Sequence, residues 1–73
     1  MSPDKLVYMA NQIGTFFAGQ GEEQAVAAVA DHLMKFWDPR MRSAIVKYVN
    51  DGGEKLKPLV LKAVRRLESE ARI

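Results

Sequence analysis

A chain of 73 residues with no cysteine and one histidine has no covalent or metal staple to hold it folded. A domain this small buries only roughly 60–65% of the surface its unfolded chain exposes, and its core rarely supplies more than about 3–5 kcal/mol. Disulfides, thiolate zinc sites and cysteine-ligated iron–sulfur clusters are excluded outright. His32 alone cannot build a histidine metal site. What remains is the packing of secondary structure and burial against a partner. Apolar residues make up 48% of the chain, too many for a disordered segment. The longest uninterrupted apolar run, from Ala25 to Ala30, falls far short of the ~20 residues a membrane span needs. The opening Met1-Ser2-Pro3-Asp4-Lys5 has no basic region leading into an apolar stretch, so it does not read as a secretory signal. These features predict one soluble, cytoplasmic domain over residues 1–73, away from membranes.

Four segments repeat their apolar residues at helical spacing, and none alternates like a half-buried strand. The first helix is expected over residues 3–18, with Ser2 as N-cap, Pro3 in the first position and Asp4 against the positive end of the dipole. Leu6, Ala10, Ile13 and Phe17 form its stripe, which Met9 and Phe16 widen. Gly14 inside this helix costs roughly 1 kcal/mol relative to alanine, which points to close approach by another helix or backbone. Ile13, Gly14 and Phe17 are therefore the candidate helix-packing residues. Gly19-Gln20-Gly21 stops the helix.

A second helix is expected over 22–37, its stripe formed by Val26, Val29, Leu33 and Trp37 and joined by Ala25, Ala30 and Phe36. Asp38-Pro39 closes it and opens a third over 39–49, because proline disfavours the helical conformation in the residue before it. Asn50-Asp51-Gly52-Gly53 stops that one. The fourth is expected over 58–68, with Lys57 a poor cap that must lean on something else, and residues 68–73 loosening into a tail. The fold class is all-α: a small compact domain of four short helices.

Catalysis by this chain alone is argued against by elimination. There is no thiol, no Gly-x-Ser-x-Gly elbow around any serine, and no glycine loop followed by Lys and Ser or Thr to cradle phosphate. The formal net charge of +2 is uneven: residues 1–36 carry −2 and residues 37–73 carry +4. A basic C-terminal half suits an acidic protein surface or nucleic acid. In a helix-turn-helix reading, the third helix would offer Arg40, Arg42, Ser43 and Lys47 to the major groove. It has little Asn or Gln to read adenine, and an Asp-Pro corner replaces the usual glycine-containing turn. A self-associating helical adaptor is a further alternative.

The segment that argues most for a protein-interaction module is Phe36-Trp37-Asp38-Pro39-Arg40-Met41-Arg42. Two large aromatics stand before a rigid corner, and two arginines occupy the first turn of the next helix. Cations there oppose the dipole by about 0.3–1 kcal/mol each. A local rule broken without visible compensation marks a functional position. Phe36 and Trp37 suit either a core or an interface. Arg40 and Arg42 suit a partner's surface, the other reading being a pair with Asp38 or a nearby carboxylate.

Met9-Ala10-Asn11-Gln12-Ile13-Gly14-Thr15-Phe16-Phe17, the Phe36-to-Arg42 string, and Pro58-Leu59-Val60-Leu61 with Ala63-Val64 together resemble the delta subunit of soluble, NAD-dependent, molybdenum-containing formate dehydrogenases. The resemblance covers most of residues 2–64. It implies a small non-catalytic subunit of a large bacterial enzyme, docked on the large catalytic subunit and supporting assembly, stability or cofactor insertion. It also implies that molybdenum pterin, iron–sulfur clusters and FMN sit in other subunits, with none bound here. On that reading Phe36, Trp37, Asp38, Pro39, Arg40 and Arg42 contact the partner.

Overall fold

A computed structural model describes residues 2–71. Four α-helices follow one another: α1 (Pro3–Phe17), α2 (Glu22–Phe36), α3 (Pro39–Asn50) and α4 (Pro58–Ala71), with a 3₁₀ turn at Ala18–Gln20. Among the described residues there is no strand, and no helix is long and apolar enough to cross a membrane. Local chemistry sets the helix starts. The Ser2 side chain accepts from Lys5 N at 3.3 Å, and that of Asp38 accepts from Met41 N at 2.9 Å. A proline follows each cap, where its missing N–H costs nothing.

The core is continuous. Leu6, Val7 and Ala10 of α1, Val29 and Leu33 of α2, Ile45 and Val49 of α3 and Val60, Val64 and Leu67 of α4 form one cluster with Trp37 and Leu56. Among the described residues no polar or charged side chain is buried. The Cα radius of gyration, 10.8 Å, matches the roughly 11 Å expected of a self-standing domain of this length. Packing between α2 and α4 is the most extensive, and a Lys62–Glu22 ion pair at 2.6 Å joins α4 to the start of α2 at the surface. Such a pair contributes about 0–1 kcal/mol, so apolar burial carries the association. α4 packs closely on α1 at Gly14: a Cβ there would collide with Val60 Cγ2. Ile13 and Phe17 are half-buried beside that contact.

Two expectations from the sequence are corrected. Met9 and Phe16 do not widen the buried stripe of α1; they are 41% and 81% exposed. The helix is rotated so that Leu6, Val7, Ala10 and Gly14 face inward, which puts its other flank in solvent. Phe36 likewise leaves the buried stripe of α2 and is 72% exposed. The other correction concerns the end of α4, which continues through residues 68–71 instead of loosening at 68. Leu67 is buried in the core, Asn50 donates to Glu68 at 3.3 Å and Arg66 pairs with Glu70 at 3.3 Å, so the last turn has both anchors and an i,i+4 pair. Residues 72 and 73 of the expected tail lie outside the described residues.

Lys57 finds its support in α1. The Asn11 side chain accepts from Lys57 N and donates to Lys55 O, both at 3.0 Å, and Lys57 Nζ donates to Thr15 Oγ1. One amide thus holds the entry to α4 against the middle of α1. It satisfies the backbone N–H of the residue that opens α4 and so anchors the helix entry.

Candidate functional site: the α2–α3 corner

Two extended residues make the corner. Trp37 closes α2 with φ −90° and ψ 139°, and Asp38 opens α3 with φ −74° and ψ 168°. Pro39 enforces the second of these by crowding Asp38 out of the helical region. Hydrogen bonds lock both sides: Trp37 N donates to Leu33 O at 3.1 Å, and Arg42 N donates to Asp38 O at 3.0 Å. The direction of the chain through residues 36–42 is therefore fixed by backbone geometry.

The two aromatics part ways here. Trp37 turns inward, is 5% exposed and belongs to the core cluster. Phe36, one residue earlier, turns outward, and its ring lies 4.7 Å from that of His32. The arginines also divide. Arg40 is exposed. Arg42 is half-buried and reaches back across the corner, its Nη1 donating to Trp37 O and, at 3.2 Å, to Met34 O. Those carbonyls belong to the C-terminal turn of α2, where the dipole is negative and helical partners have run out. A cation unfavourable for α3 is thereby favourable for α2. Asp38 does not pair with it; its carboxylate is spent on Met41 N.

This geometry separates the two arginines experimentally. Arg42→Ala removes the donor for two carbonyls and should lower stability by roughly 1–2 kcal/mol, or about 4–16 °C in Tm. Arg40→Ala should stay within about 0.5 kcal/mol of the parent. Circular-dichroism melts of the two variants check this, and equal melting points would remove the capping role of Arg42.

Beside the corner, Met34, Pro39, Ser43, Val46 and Leu67 line an open groove of about 290 Å³ with Arg42 and Glu68 at its edge. That volume lies at the bottom of the roughly 300–1,000 Å³ range of small-molecule sites, and the groove lacks their enclosure. No group of three or more His, Cys, Asp or Glu residues capable of holding a metal occurs among the described residues. The donor set does not fit an iron–sulfur cluster, which needs thiolates that this chain lacks. What the corner offers is a rigid surface with one outward ring and one outward guanidinium.

Comparison with known proteins adds a family. Residues 5–64 match the family described as the NADH-dependent formate dehydrogenase delta subunit, FdsD. The chain belongs to that family. The matched span takes in α1, α2, α3 and the first half of α4, and so includes the corner, the Asn11 clamp and the Gly14–Val60 contact. No curated protein and no solved structure matches the chain. As a formate dehydrogenase delta subunit, it is a component of a complex with catalytic subunits.

Several features of this delta subunit were not anticipated from the residues. The Arg42 cap joins residues five and eight apart around a corner, a geometry with no sequence signature. The Asn11 clamp spans 44 and 46 residues. The ring contact between His32 and Phe36 did have a signal, since aromatic residues four apart on a helix share a face.

Proposed function

We propose that this chain is a non-catalytic delta subunit that docks on the large catalytic subunit of formate dehydrogenase and supports its assembly, stability or molybdenum-cofactor insertion. The observation that carries the reading is the family match across residues 5–64. The corner supplies a means of docking: Phe36 and Arg40 face outward, while Trp37, Asp38, Pro39 and Arg42 hold them in a fixed direction. Arg40 engages a carboxylate or carbonyls of the partner through its planar fork, a geometry that lysine cannot reproduce. Molybdenum pterin, iron–sulfur clusters and FMN reside in the other subunits, and formate is oxidised there with reduction of NAD. This chain lies outside the electron path.

Co-expression of the remaining subunits with and without this chain tests the reading. Leaving it out should lower the molybdenum content and the formate-dependent NAD reduction of the purified enzyme. Arg40→Ala should lower both in part while leaving the helical spectrum of this chain unchanged. Losing one member of a desolvated pair costs about 2–5 kcal/mol, which is at least a tenfold loss in affinity. Fully loaded, active enzyme from the expression that omits this chain, together with failure of the chain to co-purify from the expression that includes it, defeats the proposal.

A further inference from the structure

Four rings run in unbroken contact across the end of α1 and the second half of α2. Phe16 meets Phe17 edge-on at 5.0 Å, Phe17 meets His32 at 6.2 Å, and His32 meets Phe36 at 4.7 Å. The inner members, Phe17 and His32, are half-buried, while the outer members, Phe16 and Phe36, stand almost free of the domain. Exposed aromatics in continuous contact mark binding surfaces, whereas scattered ones need no explanation. The nearest charged residues along α2, Asp31 and Lys35, neutralise one another at 3.0 Å, so the strip presents a locally uncharged face.

We propose that the Phe16–Phe17–His32–Phe36 strip is a docking surface for an uncharged, apolar groove on the catalytic subunit, extending the contact from the corner to the end of α1. This rests on the delta-subunit reading above. Area decides the occupant. At roughly 200 Å² per aromatic side chain, the exposed parts of Phe16 and Phe36 amount to about 300 Å². Two copies joined through this strip would bury about 600 Å² in all, within the range of incidental contacts and well below the ~1,000 Å² of a specific interface. The catalytic subunit, which the delta-subunit reading already sets against the adjoining corner, can take the two rings into a groove and join them to that same contact. The rings then serve as anchors, and the apolar walls of the groove match the absence of charge along the strip.

The test is a titration of the delta subunit against formate dehydrogenase purified without it, read by surface plasmon resonance. The parent chain should bind, and Phe16→Gln with Phe36→Gln should weaken binding at least a hundredfold while preserving helical spectrum and melting point, since both rings lie outside the core. Phe16→Gln alone carries the test if the double variant loses its spectrum. It should cost about tenfold, and it leaves the corner untouched. Parent-like binding by Phe16→Gln overturns the strip and leaves the delta-subunit reading standing. No binding by the parent chain overturns both. Sedimentation of the isolated parent chain as a dimer that the double variant dissociates also overturns the proposal, because the occupant is then a second copy.

Discussion

Trp37→Ala should leave the isolated chain largely unfolded at 25 °C. The side chain is almost wholly buried and belongs to the same apolar cluster as Leu33, Ile45 and Leu67. Truncating a buried aromatic costs about 3–5 kcal/mol, part of it lost transfer energy and part the cavity left behind. A 73-residue domain with no cysteine has about that much stability in total. Thermal and urea unfolding followed by circular dichroism should show either no cooperative transition or one displaced by more than about 12 °C, at about 4–8 °C per kcal/mol. Trp37→Phe, which keeps a ring in the core, should melt much closer to the parent. With its partner present the alanine variant should regain helix, because binding stabilises the folded form by mass action. A parent-like melt for Trp37→Ala would mean that the indole contributes little to the core and would return it to the candidate contact surface.

That prediction shows where the sequence was informative. Trp37 fits a core and an interface equally well by composition; only the turn of one residue between Phe36 and Trp37 separates them. The phase of α2 decides it: Trp37 lies four residues after the buried Leu33 on the inward stripe, whereas Phe36, about 100° away, falls outside it. Asp38-Pro39 was legible because capping and the restriction before proline act over one or two residues. So were Ser2-Pro3 and the stop after Asn50. The all-α class followed from periodicity that extends over whole helices.

What was hidden depended on rotation and on distance. A stripe containing Leu6, Met9, Ala10, Ile13, Phe16 and Phe17 spans about a third of the helix circumference, and each residue advances about 100°. Whether Met9 and Phe16 are inside depends on where Val60 meets Gly14, a contact 46 residues distant in the chain. The Arg42 cap and the Asn11 clamp are hidden for the same reason. The end of α4 was underestimated because propensity alone ignores the core contact of Leu67, which holds the last turns in place. The candidate site thus changed character. Of the residues first singled out for the partner, Phe36 and Arg40 face solvent, whereas Trp37 and Arg42 hold the corner together.

Gly53→Val should destabilise the domain by roughly 2–5 kcal/mol, although the residue is remote from the corner. The turn after α3 closes with two reversed hydrogen bonds, Gly52 N to Val49 O and Gly53 N to Tyr48 O, both at 3.0 Å. This pairing satisfies carbonyls that the last helical turn leaves without partners. Gly53 holds a φ of +61°, where a side chain costs about 1–2 kcal/mol and a β-branched one more. It is also buried: an added Cβ would stand 2.7 Å from Leu61 Cδ1 and 3.5 Å from Val49 Cα. The end of Leu61 can swing aside, but Leu61 packs on the core at the start of α4, so the displacement carries a packing cost of about 1–3 kcal/mol. The strain falls on the turn that delivers residues 54–57 to the Asn11 clamp, so amide exchange should accelerate at Leu56, Lys57 and Leu61 before it does in α2. Gly53→Asn, which tolerates the left-handed region, should recover part of the loss. If Gly53→Val melts within about 4 °C of the parent, the turn has another conformation open to it and the left-handed geometry is not what fixes the entry to α4.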